Sequence, residues 1–131
     1  FLTMTFIAIA CILMGAGVPT TALYIMLVTV AQPAFTNLGV PPLATHMFVL
    51  FYGIISEVTP PVCTSAYAAA AIANSNPWKT GFAAFKLSNA KIMVPFVFCY
   101  SPVMLLVLPG WNWPEFLETT LTCALGTFML G

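Results

Sequence analysis

Few side chains in this 131-residue sequence can do chemistry: one histidine, His46; three glutamates, Glu57, Glu115 and Glu118; three lysines, Lys79, Lys86 and Lys91; and four cysteines, with no Arg and no Asp. Glu57 is the one carboxylate inside a long apolar stretch, just before Val58-Thr59-Pro60-Pro61. An acid at such a place usually lines an ion or substrate path. His46 precedes it by eleven residues. That is close to three helical turns, so the two share a helix face but stand about 16 Å apart along the axis, too far to hold one metal ion. Their joint use would be a proton relay. Cys11, Cys63, Cys99 and Cys123 are scattered through apolar segments with no C-x-x-C pair, which gives neither a disulfide framework nor a zinc site. No catalytic triad and no transition-metal cluster can be assembled, so enzyme chemistry is not expected.

What remains is hydroxyl and backbone chemistry at two interruptions. The first carries Gly15, Gly17, Thr20 and Thr21; the second carries Ser56, Thr59, Pro60 and Pro61. Hard cations such as sodium want oxygen ligands, and the carbonyls of an unwound helix supply them without burying a charge. A following proline prevents those carbonyls from re-pairing. Half-helices that begin after Pro19 and Pro61 point positive ends at the same breaks, where an anionic group is stabilised. Cation on the carbonyl ends and anion on the amide ends is the layout of discontinuous-helix secondary transporters.

The elements that must hold these residues follow from composition. Hydrophobic residues make up 61% of the chain and charged ones 5%, against roughly a quarter charged in soluble domains. Mean hydropathy is +1.03. Six formal charges cannot cover a water-facing surface, so an all-α integral membrane protein is expected. A net charge of zero with no basic run removes nucleic acid as a partner. The chain opens on Phe1 with no initiator Met and ends inside an apolar stretch, which reads as a fragment of a larger membrane protein.

Along the chain, residues 1–31 read as two apolar arms separated by Gly15-Ala16-Gly17-Val18-Pro19. The second arm, Thr20 to Ala31, rises only about 18–20 Å against a hydrocarbon core of about 30 Å. It is either one arm of a re-entrant hairpin or half of a broken span. Gln32 to Pro42 reads as a loop. Residues 43–73 read as a discontinuous helix, Leu43–Val58 and Val62–Ala73, broken at Thr59-Pro60-Pro61; end to end its halves would reach about 42 Å, which requires tilt or projection. Residues 74–91 hold all three lysines and Asn76-Pro77 as a helix start, with Trp78, Phe82 and Phe85 on one face: a cytoplasmic amphipathic connector. Residues 92–131 are expected to form C-terminal transmembrane helices, a span over Ile92–Leu108 and a last helix opened by Glu115 and Glu118, joined by a turn, PGWNWP, whose Trp111 and Trp113 suit the outer interface.

Four runs together closely resemble the large-subunit portion of TRAP (tripartite ATP-independent periplasmic) transporters, the fused-permease branch in particular. They are Gly15-Ala16-Gly17-Val18-Pro19-Thr20-Thr21-Ala22-Leu23-Tyr24, Ala44-Thr45-His46-Met47-Phe48-Val49-Leu50-Phe51-Tyr52, Thr59-Pro60-Pro61-Val62 with Ala66-Tyr67-Ala68-Ala69-Ala70 after it, and Val94-Pro95-Phe96. The resemblance covers about residues 1 to 108. It implies the second, C-terminal, of two inverted repeats in an elevator-type carrier of the ion-transporter superfamily, with residues 15–19 as a re-entrant hairpin tip and Thr59-Pro60-Pro61 as the unwound partner helix. Carried over, Gly15, Gly17, Thr20, Ser56, Thr59 and Val62 become candidate sodium ligands, and Thr21, Thr59, Pro60 and Pro61 candidate substrate contacts. Glu57 and His46 stay as a possible proton relay.

The resemblance further implies sodium-coupled uptake of organic acids, no cofactor beyond Na+ as coupling ion, and a multi-pass place in a bacterial or archaeal inner membrane. The implied partners are an extracytoplasmic solute-binding protein of the TAXI type, the first inverted repeat and the small-subunit portion of the permease. Cys63 stands where a small residue is usual in the family. Two alternatives stay open: a proton-coupled carrier using Glu57, and a structural membrane subunit whose breaks are packing kinks.

Overall fold

A computed structural model of the chain describes residues 1–106 and 111–130, and every regular element among them is helical. In order these are α1 (Leu2–Gly15), α2 (Thr20–Thr36), α3 (Pro42–Ser56), α4 (Thr64–Ile72), α5 (Pro77–Tyr100), a 3-10 turn (Pro102–Leu105) and α6 (Trp113–Leu130). Residues 107–110, which carry the end of the expected Ile92–Leu108 span and the first two residues of the Trp turn, lie outside the described residues.

Each helix buries a narrow stripe and leaves the rest to its surroundings. In α1 the stripe is Met4, Ala8, Cys11 and Gly15, and in α2 it is Leu23, Leu27, Ala31 and Phe35, both at steps of three or four. Those steps place one residue per turn on a single line. Apolar side chains also cover the outward faces: Leu13 is 70% exposed, Val30 68% and Leu87 82%. A soluble domain rarely exposes so much contiguous apolar surface. Lipid accepts it.

The hub is α3, which packs against α1, α2 and α5. Its buried residues Ala44, Thr45, Phe48, Val49, Tyr52, Gly53, Ile55 and Ser56 make a stripe wide enough for three neighbours. Phe48 is fully buried and its ring lies 5.0 Å from that of Phe35 in α2, 4.8 Å from Tyr52 and 5.4 Å from Phe96 in α5. Tyr52 donates its hydroxyl to the Ile92 carbonyl of α5 at 2.8 Å, which pairs a buried polar tip that lipid would leave orphaned. A Cβ on Gly53 would meet Thr20 and Leu23 side chains at 3.4 and 3.5 Å, so α2 and α3 are in van der Waals contact there.

Three boundaries differ from the sequence expectation. First, α2 continues to Thr36, five residues past Ala31, so the loop before α3 shrinks to Asn37–Pro41. Pro33 lies inside the helix, where it forfeits one backbone bond, while the Asn37 amide still reaches the Pro33 carbonyl at 3.1 Å. Second, the lysine-bearing connector and the following span are one helix, α5. Asn76 caps its start by accepting from the Lys79 amide at 3.1 Å, with Pro77 in the first turn. No breaker then occurs before Pro95, which interrupts a single bond. With 24 residues, an 18-residue stretch of which has a mean hydropathy of 1.3, α5 is the one helix among the described residues long and apolar enough to cross a membrane alone. It ends at Tyr100 instead of Leu108. Third, the second interruption is wider than three residues: α3 stops at Ser56 and α4 starts at Thr64.

Replacing Phe48 by Ala removes the ring that ties α2, α3 and α5 together. A loss on the order of 3 kcal/mol is expected, read as a lower unfolding midpoint of the purified protein in detergent. Phe128→Ala, at a residue 83% exposed, is the control and leaves the midpoint unchanged.

Candidate functional site

The two interruptions meet. Gly15, the last residue of α1, lies directly on Ser56, the last residue of α3: an ideal Cβ on Gly15 would fall inside the Ser56 side chain and come within 3.0 Å of Leu23. Immediately beyond, Thr20, the first residue of α2, donates its hydroxyl to Oε1 of Glu57. Both ends of the α1–α2 turn are therefore pinned to the C-terminus of α3, across 37 residues in the Thr20–Glu57 case.

Local chemistry explains why α3 ends there. Pro60 and Pro61 have no amide hydrogen, so neither can bond back to Ser56 or Glu57. The last turn tightens instead: the Glu57, Val58 and Thr59 amides bond to the Ile54, Ile55 and Ser56 carbonyls at 3.2, 3.1 and 3.2 Å, the i to i−3 pattern common at helix ends. The Ser56 hydroxyl donates to the Gly53 carbonyl at 2.6 Å and the Thr59 hydroxyl to Ile55 at 2.8 Å. A hydroxyl that donates once keeps its acceptor lone pairs, so both oxygens retain the capacity to ligate a cation. Cys63, buried and in the left-handed region at φ 38°, starts α4 and donates its thiol to the Val58 carbonyl at 3.2 Å. The Tyr67 hydroxyl takes the Pro61 carbonyl at 2.9 Å. Among the described residues, the carbonyls of Glu57, Pro60 and Val62 receive no hydrogen bond.

The electrostatics are asymmetric. The C-termini of α1 and α3 converge at the Gly15–Ser56 contact, and each brings the partial negative charge of its unpaired carbonyls. Two such ends together attract a cation. On the other side, the Glu57 carboxylate, bonded to the Thr20 hydroxyl, lies at the electropositive start of α2, a favourable pairing. The N-terminus of α4 is then the end of the pair not already faced by Glu57.

Placement of the expected residues is uneven. Gly15 lies on Ser56 and Thr20 bonds to Glu57, and Thr59, Pro60 and Val62 follow on the same irregular segment, half-buried. Ser56 is only 2% exposed. Gly17, Thr21 and Pro61 are exposed, and a Cβ on Gly17 would meet nothing within 4 Å. His46 is elsewhere: its Nδ1 pairs with the Tyr24 hydroxyl at 2.6 Å. Tyr24 was not singled out by sequence reasoning. The available signal is its spacing, one turn after Thr20 on the same helix face. The Thr20–Glu57 and Tyr24–His46 pairs thus both join α2 to α3.

A family model described as "Tripartite ATP-independent periplasmic transporter, DctM component" matches residues 1–111. The chain belongs to that family, which is an integral inner-membrane permease component of TRAP transporters. No curated protein and no solved structure matches.

Because the Gly15–Ser56 approach leaves no room for a methyl group, Gly15→Ala is expected to destabilise by about 1–3 kcal/mol. Ser56→Gly in the same chain should restore most of that loss, and Gly17→Ala should cost little. Thermal unfolding of the four proteins in one detergent checks the pattern; equal effects at Gly15 and Gly17 would contradict it.

Proposed function

We propose that this part of the permease is the C-terminal inverted-repeat half of an elevator-type carrier, and that the meeting of its two interruptions is a sodium site coupled to organic-acid uptake. The observation that carries the reading is the convergence of two helix C-termini at Gly15 and Ser56 beside unpaired carbonyls. Converging negative ends in a membrane need a counter-charge, and a hard cation is the simplest one. Gly15, Gly17, Thr20, Ser56, Thr59 and Val62 would surround it, mostly through backbone and hydroxyl oxygens. Residues 15–19 would form the tip of a re-entrant hairpin.

The substrate carboxylate would sit at the start of α4, near Thr59, Pro60 and Pro61, with Thr21 across from it. Glu57 supports that choice because its own carboxylate, bonded to the Thr20 hydroxyl at the start of α2, would repel a second anion there. With no Arg in the chain, helix ends and hydroxyls would carry this contact, together with groups from the other half of the transporter. An extracytoplasmic binding protein, of the TAXI type in this reading, would deliver the acid.

A second reading rests on one bond. The carboxylate of Glu57 joins the two interruptions through Thr20, so its protonation would loosen the junction, as a proton-coupled carrier requires.

Reconstitution of the complete permease with its binding protein separates these. A sodium gradient should drive uptake, and Thr59→Ala should lower the rate or raise the sodium requirement by about tenfold, the worth of one ligand hydroxyl. Uptake indifferent to sodium and to that change would refute the sodium site. Uptake driven by a pH gradient alone and lost in Glu57→Gln would select the proton reading.

A further inference from the structure

Between α5 and α6 lies a cavity of about 480 Å³, lined by none of the residues of the two interruptions. Met93, Phe96 and Val97 form one wall and Thr122, Cys123 and Gly126 the other. Two of its threonines add little polarity: the Thr122 hydroxyl donates to the Glu118 carbonyl at 2.7 Å and that of Thr127 to Ala124 at 2.9 Å. A Cβ on Gly126 would meet nothing within 4 Å, so the groove is open along α6. Its polar end is made by Ser101 and Glu118; Trp113, whose ring lies 4.6 Å from that of Trp111, starts α6 five residues before Glu118. Tryptophans of that kind mark the membrane–water interface.

From Glu118 to Thr127 the groove runs about 13 Å along α6, close to one hydrocarbon leaflet of about 15 Å. An apolar trough of leaflet length with one polar end at the interface has the shape of a phospholipid. The charge at that end narrows the class. No cationic side chain follows Lys91 in the sequence, so the Glu118 carboxylate would oppose an anionic headgroup and attract an ammonium. We propose that this groove binds a phospholipid with an amine headgroup, phosphatidylethanolamine in chemical class, its acyl chain along Phe96 and Gly126 and its ammonium at Glu118.

The test uses the complete permease, stripped of lipid in mild detergent and offered phosphatidylethanolamine or phosphatidylglycerol of identical chains, with retention read by native mass spectrometry. The wild type should retain the ethanolamine lipid about fivefold better, the worth of one charge near a membrane surface. Glu118→Gln should bring the ratio near one. Gly126→Phe should lower retention of both lipids. Should that variant fail to fold, an ethanolamine lipid with a photoreactive acyl chain should label the peptides carrying Phe96 or Gly126 in the wild type. Equal retention of the two lipids, or labelling that avoids both peptides, overturns the proposal. So does a crosslink from Gly126→Cys to another segment of the permease, which would identify a protein occupant.

Discussion

A helix that stops inside a bilayer leaves carbonyl and amide groups that lipid will not satisfy, each at a cost of several kcal/mol. Among the described residues α1 stops at Gly15 and α3 at Ser56, and the fold places one stop against the other. The contact is close because Gly15 has no side chain, and it is directional because Thr20 donates to Glu57 one residue beyond Ser56. The rest of the structure can be read as support for that junction. α3 carries one stop and packs on α1, α2 and α5, while the Phe35–Phe48–Phe96 rings hold the far end of the same helices.

The same junction separates charge without burying much of it. Carbonyl ends gather at Gly15 and Ser56, and the start of α2 is matched by a carboxylate. Hydroxyls that donate to carbonyls one turn back, at Ser56 and Thr59, keep the irregular segment ordered while leaving oxygen lone pairs unused. A cation site of the kind proposed at this junction would gain from such an arrangement, because carbonyl and hydroxyl oxygens need no proton exchange to change occupancy.

Much of this was legible in the amino-acid sequence, and the limits have physical reasons. Composition required a membrane, and Asn76-Pro77 marked a helix start that the structure has. The breaks near Gly15–Pro19 and Thr59–Pro61 were visible because glycine and proline act locally. Their meeting was implied only by the family resemblance, which put both breaks in one sodium site, and not by the residues themselves. Gly15 and Ser56 are 41 residues apart, and residue spacing carries no information at that range. Pro33 and the lysine-rich stretch misled for the opposite reason, since a single proline or a run of charges is a local signal that neighbouring helix formers can override. His46 and Glu57 were read as about three turns apart on one helix, while their partners in the structure, Tyr24 and Thr20, belong to another helix.

The account turns on the junction holding a cation. The direct measurement is thermal unfolding of the purified complete permease, without substrate or binding protein, in sodium and in potassium at equal ionic strength. Sodium alone should raise the midpoint, increasingly with concentration, as a ligand that binds only the folded state does. The rise should be absent in Thr59→Ala. Identical midpoints in the two salts would contradict the claim.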